Sequence, residues 1–196
     1  ESASPKMILT MTTTNHPPFE LPENCLEDMP NDKFYSNPVF AEKNKKVLQK
    51  YIAGYKYYNK LLREFLDNFK RSPAAQNTII IATGDHNVRS ILDYTQIGCR
   101  WEYSVPLYLY IPPYLRNENY SKYNERWGCH DDIVATIAPF AFKNTCYMRM
   151  GKNLLCDSIP DYKFYSYNQE QTIAEPHYKD RAEKLLRARN LLRFVY

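Results

Sequence analysis

The sequence predicts an α/β fold, a mostly parallel sheet flanked by helices, in a 196-residue chain of one domain's size. Three observations carry that prediction. Two apolar runs, Met7-Ile8-Leu9 with Met11 and Thr78-Ile79-Ile80-Ile81-Ala82, show no polar alternation, as expected of strands covered on both faces. Between them, apolar residues recur at spacings of three and four, the period of an amphipathic helix. A third run, Val105 to Ile111, follows. Strand, long helix and strand make a βαβ unit, which implies parallel pairing.

Taken in order, Lys6 begins the first strand, expected near 7–12, and Thr12-Thr13-Thr14-Asn15-His16-Pro17-Pro18-Phe19 follows at its carboxyl end. The two prolines stiffen the backbone beside His16. Residues 20–37 read as a polar excursion. Asn37-Pro38 reads as a helix start, a capping side chain followed by proline, with a break near Lys43. Val47, Leu48, Tyr51, Ile52, Tyr55, Tyr58, Leu62, Phe65, Leu66 and Phe69 then form one stripe, which predicts core packing. Arg71-Ser72-Pro73 ends the helix, and the central strand spans about 78–83. Residues 87–103 read as irregular. The third strand covers 105–111, and its early Pro106 suits an edge position or a first residue. Residues 114–127 read as a loop. Asp131 is the expected cap of a helix through Phe140, with His130 just before it. Tyr162 to Tyr167 reads as a short strand, and Glu175-Pro176 opens a final basic helix to about Phe194.

Composition excludes several function classes. The chain carries 26 basic and 22 acidic residues, a formal charge of +4, with no basic stripe interleaved with stacking aromatics. Nucleic acid is therefore not an expected partner. With only five glycines there is no glycine-rich phosphate loop. The five cysteines contain no C-x-x-C pair, which argues against a zinc knuckle. Cys146 with Cys156, and Cys99 with Cys129, can bridge, or all can stay reduced. No stretch approaches the roughly 20 apolar residues of a membrane span.

The chemistry concentrates where the central strand ends, at Gly84-Asp85-His86-Asn87. Ligands of open α/β sheets bind at the carboxyl ends of strands. An oxygen donor beside a nitrogen donor suits a divalent ion such as zinc or manganese. The plainer reading is a turn carboxylate beside a solvated histidine. His16 stands in the same relation to the first strand, so both histidines and Asp85 are expected at one sheet edge.

In this order, the landmarks resemble the carboxyl-terminal part of sulfatase-like enzymes of the alkaline phosphatase superfamily, most closely the lipoteichoic-acid-synthase-like branch. Ile8-Leu9-Thr10 through Thr14-Asn15-His16-Pro17-Pro18-Phe19 resembles its strand and T-N-H loop. Asn77 to His86 resembles its strand ending in G-D-H. Val105-Pro106-Leu107 to Pro112, Asp132-Ile133 with Thr136, and Gly151 to Leu155 resemble three further segments.

The resemblance implies an alkaline-phosphatase-like α/β/α sandwich. It also implies a divalent metal (Mn, Zn or Ca) held by Asp85 and His86, and His16 as a catalytic group reaching the phosphate or sulfate. His130 is the weaker substrate-binding candidate, because Cys129 stands where serine is usual. Asn87 replaces a usual glycine and Ala135 a usual proline. The family's nucleophile and acidic metal ligand lie upstream of the T-N-H loop, and Glu1 to Asn15 supplies neither. The expected reading is therefore residues 1–196 as the carboxyl-terminal portion of one catalytic domain, with an incomplete ligand set and inactive alone. The implied function is sulfate-ester hydrolysis, or phosphoglycerol- or phosphoethanolamine-type transfer, on an anionic ester of a lipid head group or glycan. The parent protein is expected to be extracytoplasmic and membrane-anchored through a segment absent here. The alternative is a non-catalytic binding or scaffolding domain on the same fold.

Overall fold

The computed structural model describes residues 6–26, 29–88, 90–142, 146–147, 151–157, 165–167, 172–174, 180, 183–184 and 187. The chain forms two compact units, Glu1–Leu109 and Tyr110–Tyr196.

The first unit is built on one long helix, α2 (Lys45–Arg71). A short turn of helix, α1 (Asp32–Tyr35), precedes it. The Asn44 side chain accepts from Lys46 N–H at 3.0 Å and fixes the start of α2. Asn37 is therefore not the helix cap. Its Oδ1 accepts from Val39 N–H at 3.0 Å in a local turn, and residues 38–44 stay outside the helix. Lys70 and Arg71 occupy the last turn, where cations oppose the helix dipole. Ser72 then closes the end, with its N–H and hydroxyl both donating to Phe69 O.

The core of this unit sits on the amino-terminal half of α2. Leu48 packs with Tyr35, Phe40 and Ile91, and Tyr51 and Ile52 flank the cluster. Burying a leucine there contributes about 1.5–3 kcal/mol. An antiparallel bridge joins Phe40 to Leu92, and Asp93 N–H donates to Val39 O at 2.7 Å. The predicted stripe is only partly core. Leu66 is buried, but Tyr55 and Phe65 are about half exposed.

Two predicted strands are present and shorter than expected: β1 (Ile80–Thr83) and β2 (Leu107–Tyr110), paired in one two-stranded sheet. The strand expected near 7–12 is not one. Residues 6–12 carry no strand pairing, and Met7, Ile8, Leu9 and Met11 are each at least 85 % exposed. Apolar composition favours a strand only where a neighbour supplies the ladder and the cover. Among the described residues, the strands form two two-stranded sheets, β1 with β2 and a second further along the chain, and the expected multi-stranded parallel sheet is not seen there. Residues 87–103 are also more regular than their composition suggests. They hold two helical turns, α3 (Tyr94–Ile97) and α4 (Cys99–Glu102), the first capped by Asp93.

The second unit is organised around α5 (His130–Ala141). Its cap is not Asp131. The chain enters at Cys129, and the Asp132 carboxylate reaches back to accept from Cys129 N–H at 2.8 Å. The other Asp132 oxygen accepts from Lys152 N–H at 2.8 Å. Thr136 Oγ1 donates to Asp132 O and accepts from Leu154 N–H at 2.9 Å. The segment from Gly151 to Leu154 is thus clamped along the first turns of α5. A Cβ at Gly151 would stand 2.2 Å from Asp131 O, so only glycine admits this approach.

Within the loop expected at 114–127, residues Glu118–Tyr123 form a 3-10 helix. Downstream, β3 (Tyr165–Tyr167) and β4 (Thr172–Ala174) pair antiparallel, with Tyr165 opposite Ala174. Asp180, Glu183, Lys184 and Arg187 are helical, and the rest of the predicted final helix lies outside the described residues. Cys146 and Cys156 stand as thiols rather than as a bridge, as does Cys129, and the Cys99 side chain lies outside the described residues.

Candidate functional site

The β1 strand delivers Asp85 and His86 directly beyond its carboxyl end. Gly84 leaves the room this needs, because a Cβ there would meet Val105 Cγ1 at 3.0 Å. Asp85 turns one carboxylate oxygen inward to accept from His86 N–H at 2.9 Å. Its Oδ2 faces outward. His86 Nδ1 lies 2.9 Å from Asn87 O. A carbonyl only accepts, so Nδ1 carries the proton and the lone pair of the neutral ring sits on Nε2. The two outward atoms, Asp85 Oδ2 and His86 Nε2, are 3.7 Å apart on side chains that are 85 % and 60 % exposed.

Asn87 holds this loop in place. Its side-chain amide donates to Trp101 O at 2.8 Å, while its Oδ1 accepts from Val88 N–H at 2.8 Å. The sequence marks Asn87 only as a residue standing in place of glycine. Its tether crosses 14 positions to Trp101, a pairing that no local pattern announces. Trp101 also ends the turn that begins at Gly98, through its N–H to Gly98 O at 3.1 Å.

His16 sits in a tight turn in which its N–H donates to Thr13 O at 2.9 Å. Its Nδ1 is 2.7 Å from Pro17 O, so here too the proton sits on Nδ1 and Nε2 is left outward. The turn lies on α2: the Thr14 carbonyl and the Phe19 ring approach Gly54. His130 is the first residue of α5, in the second unit, and is exposed.

The chemistry of the donor set tests whether a divalent ion fits. Two ligands held at about 2.1 Å from one ion stand about 3.0–3.4 Å apart. The 3.7 Å between Asp85 Oδ2 and His86 Nε2 is near that span, so the pair fits as two members of a ligand set. It is not a full set. Among the described residues, no group of three or more His, Cys, Asp or Glu side chains is placed to hold a metal ion, so His16 does not join Asp85 and His86 in one donor cluster.

A family model described as Sulfatase matches residues 1–141, which include His16, Asp85, His86 and His130. No curated protein and no solved structure matches the chain.

Proposed function

The chain belongs to the sulfatase family, and from that premise we propose that it supplies part of the active site of a metal-dependent enzyme acting on sulfate or phosphate esters. The observation that carries the reading is the outward pair Asp85 Oδ2 and His86 Nε2, 3.7 Å apart where β1 ends. Membership implies an α/β fold of the alkaline phosphatase type and, at family level, a sulfatase-like hydrolase. The finer reading keeps phosphoglycerol or phosphoethanolamine transfer beside hydrolysis, since the acceptor decides between them.

In this proposal Asp85 and His86 hold the divalent ion. The protonated Nδ1 of His86, donating to Asn87 O, fixes the tautomer that leaves Nε2 free to bind. When bound, the ion supplies positive charge that screens the anionic ester and acidifies a hydroxyl nucleophile. His16, its Nδ1 committed to Pro17 O, presents Nε2 to the ester and when protonated there donates to an ester oxygen or the leaving alkoxide.

The nucleophile and the acidic ligand are assigned to upstream sequence, and residues 1–196 to the carboxyl-terminal portion of the domain. No helix among the described residues is long and apolar enough to cross a membrane. The proposal also takes the parent protein as extracytoplasmic and membrane-anchored, and the substrate as an anionic ester of a lipid head group or glycan.

The test is an assay of the chain and of its longest encoded parent on aryl sulfate and aryl phosphate, with manganese, zinc or calcium. The parent is expected to turn over one ester, with loss on His86→Ala, while the chain alone is silent. A parent inactive on both esters with every metal would leave the binding or scaffolding alternative in its place.

A further inference from the structure

His16 is exposed, yet its turn is held by a side chain to which the proposed reaction gives no part. Phe19 N–H donates to His16 O at 3.1 Å, and His16 N–H donates to Thr13 O at 2.9 Å. These overlapping bonds bracket the imidazole between Thr13 and Phe19. Phe19 is 8 % exposed, and its ring meets Tyr51 edge-on at 5.9 Å. Its φ is 56°, in the left-handed region that bulky residues rarely enter. Such a conformation persists only where surrounding contacts over-determine it, and it is a pointer to function.

The seat for that ring is a notch in α2 made by Tyr51 and Gly54, three positions apart and so on one face. A Cβ on Gly54 would stand 3.4 Å from Thr14 O and 3.8 Å from Phe19 Cδ1. Glycine in mid-helix is unfavourable relative to alanine. Here it stands where the His16 turn packs on the helix, at distances that a Cβ would meet as ordinary contacts. Two local penalties, the left-handed Phe19 and the mid-helix Gly54, thus meet at one contact, and that contact carries one loop.

We infer that Phe19 is the positioning residue for His16: its ring, seated in the Tyr51–Gly54 notch, fixes where Nε2 of His16 stands. The inference rests on the reading of His16 as the group that meets the anionic ester. Its consequence is placement to a fraction of an ångström, since a misplacement of about 1 Å lowers rates by about a hundredfold.

The test uses the full chain with histidines labelled at ¹³Cε1 and with ¹⁵N amides, His16 being assigned by His16→Gln. Phe19→Gly is the informative variant. It removes the ring and also relieves the left-handed penalty, so release of His16 is separated from loss of fold. The expected result is exchange of the His16 amide faster by about tenfold or more, an averaged His16 ring signal, and largely wild-type behaviour restored in Phe19→Leu. Titration with inorganic phosphate and with sulfate should shift the wild-type His16 signal saturably and the Phe19→Gly signal at about tenfold higher concentration. Leu66→Ala is the control, buried in the same helix 12 positions from Gly54, about 18 Å along the axis. An unchanged His16 in Phe19→Gly would overturn the inference. So would equal release of His16 in Leu66→Ala, which would make helix stability the cause. A wild-type His16 deaf to both anions, with release still seen in Phe19→Gly, would support the positioning and sink the ester-contact reading instead.

Discussion

Replacing Asp132 by asparagine should loosen the second unit by about 2–4 kcal/mol, and the figure follows from the two bonds its carboxylate accepts. Asp132 is fully buried, and each of its carboxylate oxygens accepts one backbone N–H, from Cys129 and from Lys152, both at 2.8 Å. Asparagine keeps one acceptor oxygen and turns an NH₂ toward the other donor. One charge-assisted bond of about 1.5–3 kcal/mol is lost, the other weakens to a neutral bond of about 0.5–1.5 kcal/mol, and an orphaned N–H adds about 1–3 kcal/mol. Against this, burying an amide is less costly than burying a carboxylate by a few kcal/mol, which brings the sum back to about 2–4 kcal/mol. Urea unfolding should show it. With a slope of about 1–3 kcal/mol per molar, the midpoint should fall by about 1–2 M. Trp127 reports this unit once the second tryptophan is removed by Trp101→Phe. Thr136→Val should fall in the same direction, because it leaves Leu154 N–H buried without its acceptor. A shift below about 0.2 M for Asp132→Asn would refute the reasoning, since a buried two-donor clamp cannot lose a lone pair without effect.

Gly151→Ala should be at least as damaging as Asp132→Asn in the same urea experiment, because the added Cβ meets backbone atoms of Asp131 and Asp132 that cannot swing away. Burial pushes the Tyr51 hydroxyl up to about 12, with Tyr94 and Tyr55 adding to the rise. A group raised in the folded state stabilises fully below its unfolded value, about 10 for tyrosine. Stability should therefore hold to about pH 10 and fall between pH 10 and 12, and ultraviolet titration should show that loss reduced in Tyr51→Phe. Asp157 is held below the usual carboxylate range by hydrogen bonds from Lys122 and Tyr123, so its stabilisation should be lost as pH falls through its lowered value, and Asp157→Asn should flatten that acid limb of the unfolding curve. Calorimetric titration of the chain with zinc and manganese should show only weak binding, abolished by Asp85→Ala. Micromolar affinity would mean that the two-donor set is complete enough to work and that the fragment reading fails.

The sequence by itself determined the pieces whose causes are local. Ile80 to Thr83 form a strand because β-branched residues end at a glycine, and Asp85 and His86 follow it because they are next in the chain. The helix through residues 45–71 was legible in its period, and Sulfatase family membership in the order of the motifs. Local pattern also misled. Asn37 looks like a cap yet makes a turn, and Asp131 looks like a cap yet Asp132 does the bonding. Met7 to Met11 reads as a buried strand, but burial is a property of neighbours, and among the described residues none pairs with it. Only the tertiary structure decided that Asn87 is tied to Trp101, that Phe19 seats on Gly54, and that Thr136 and Asp132 clamp the Gly151 segment. Each of those contacts joins residues at least 14 positions apart. Backbone propensity acts over a few residues, whereas these pairings arise when separated segments close-pack and their buried polar groups must find partners.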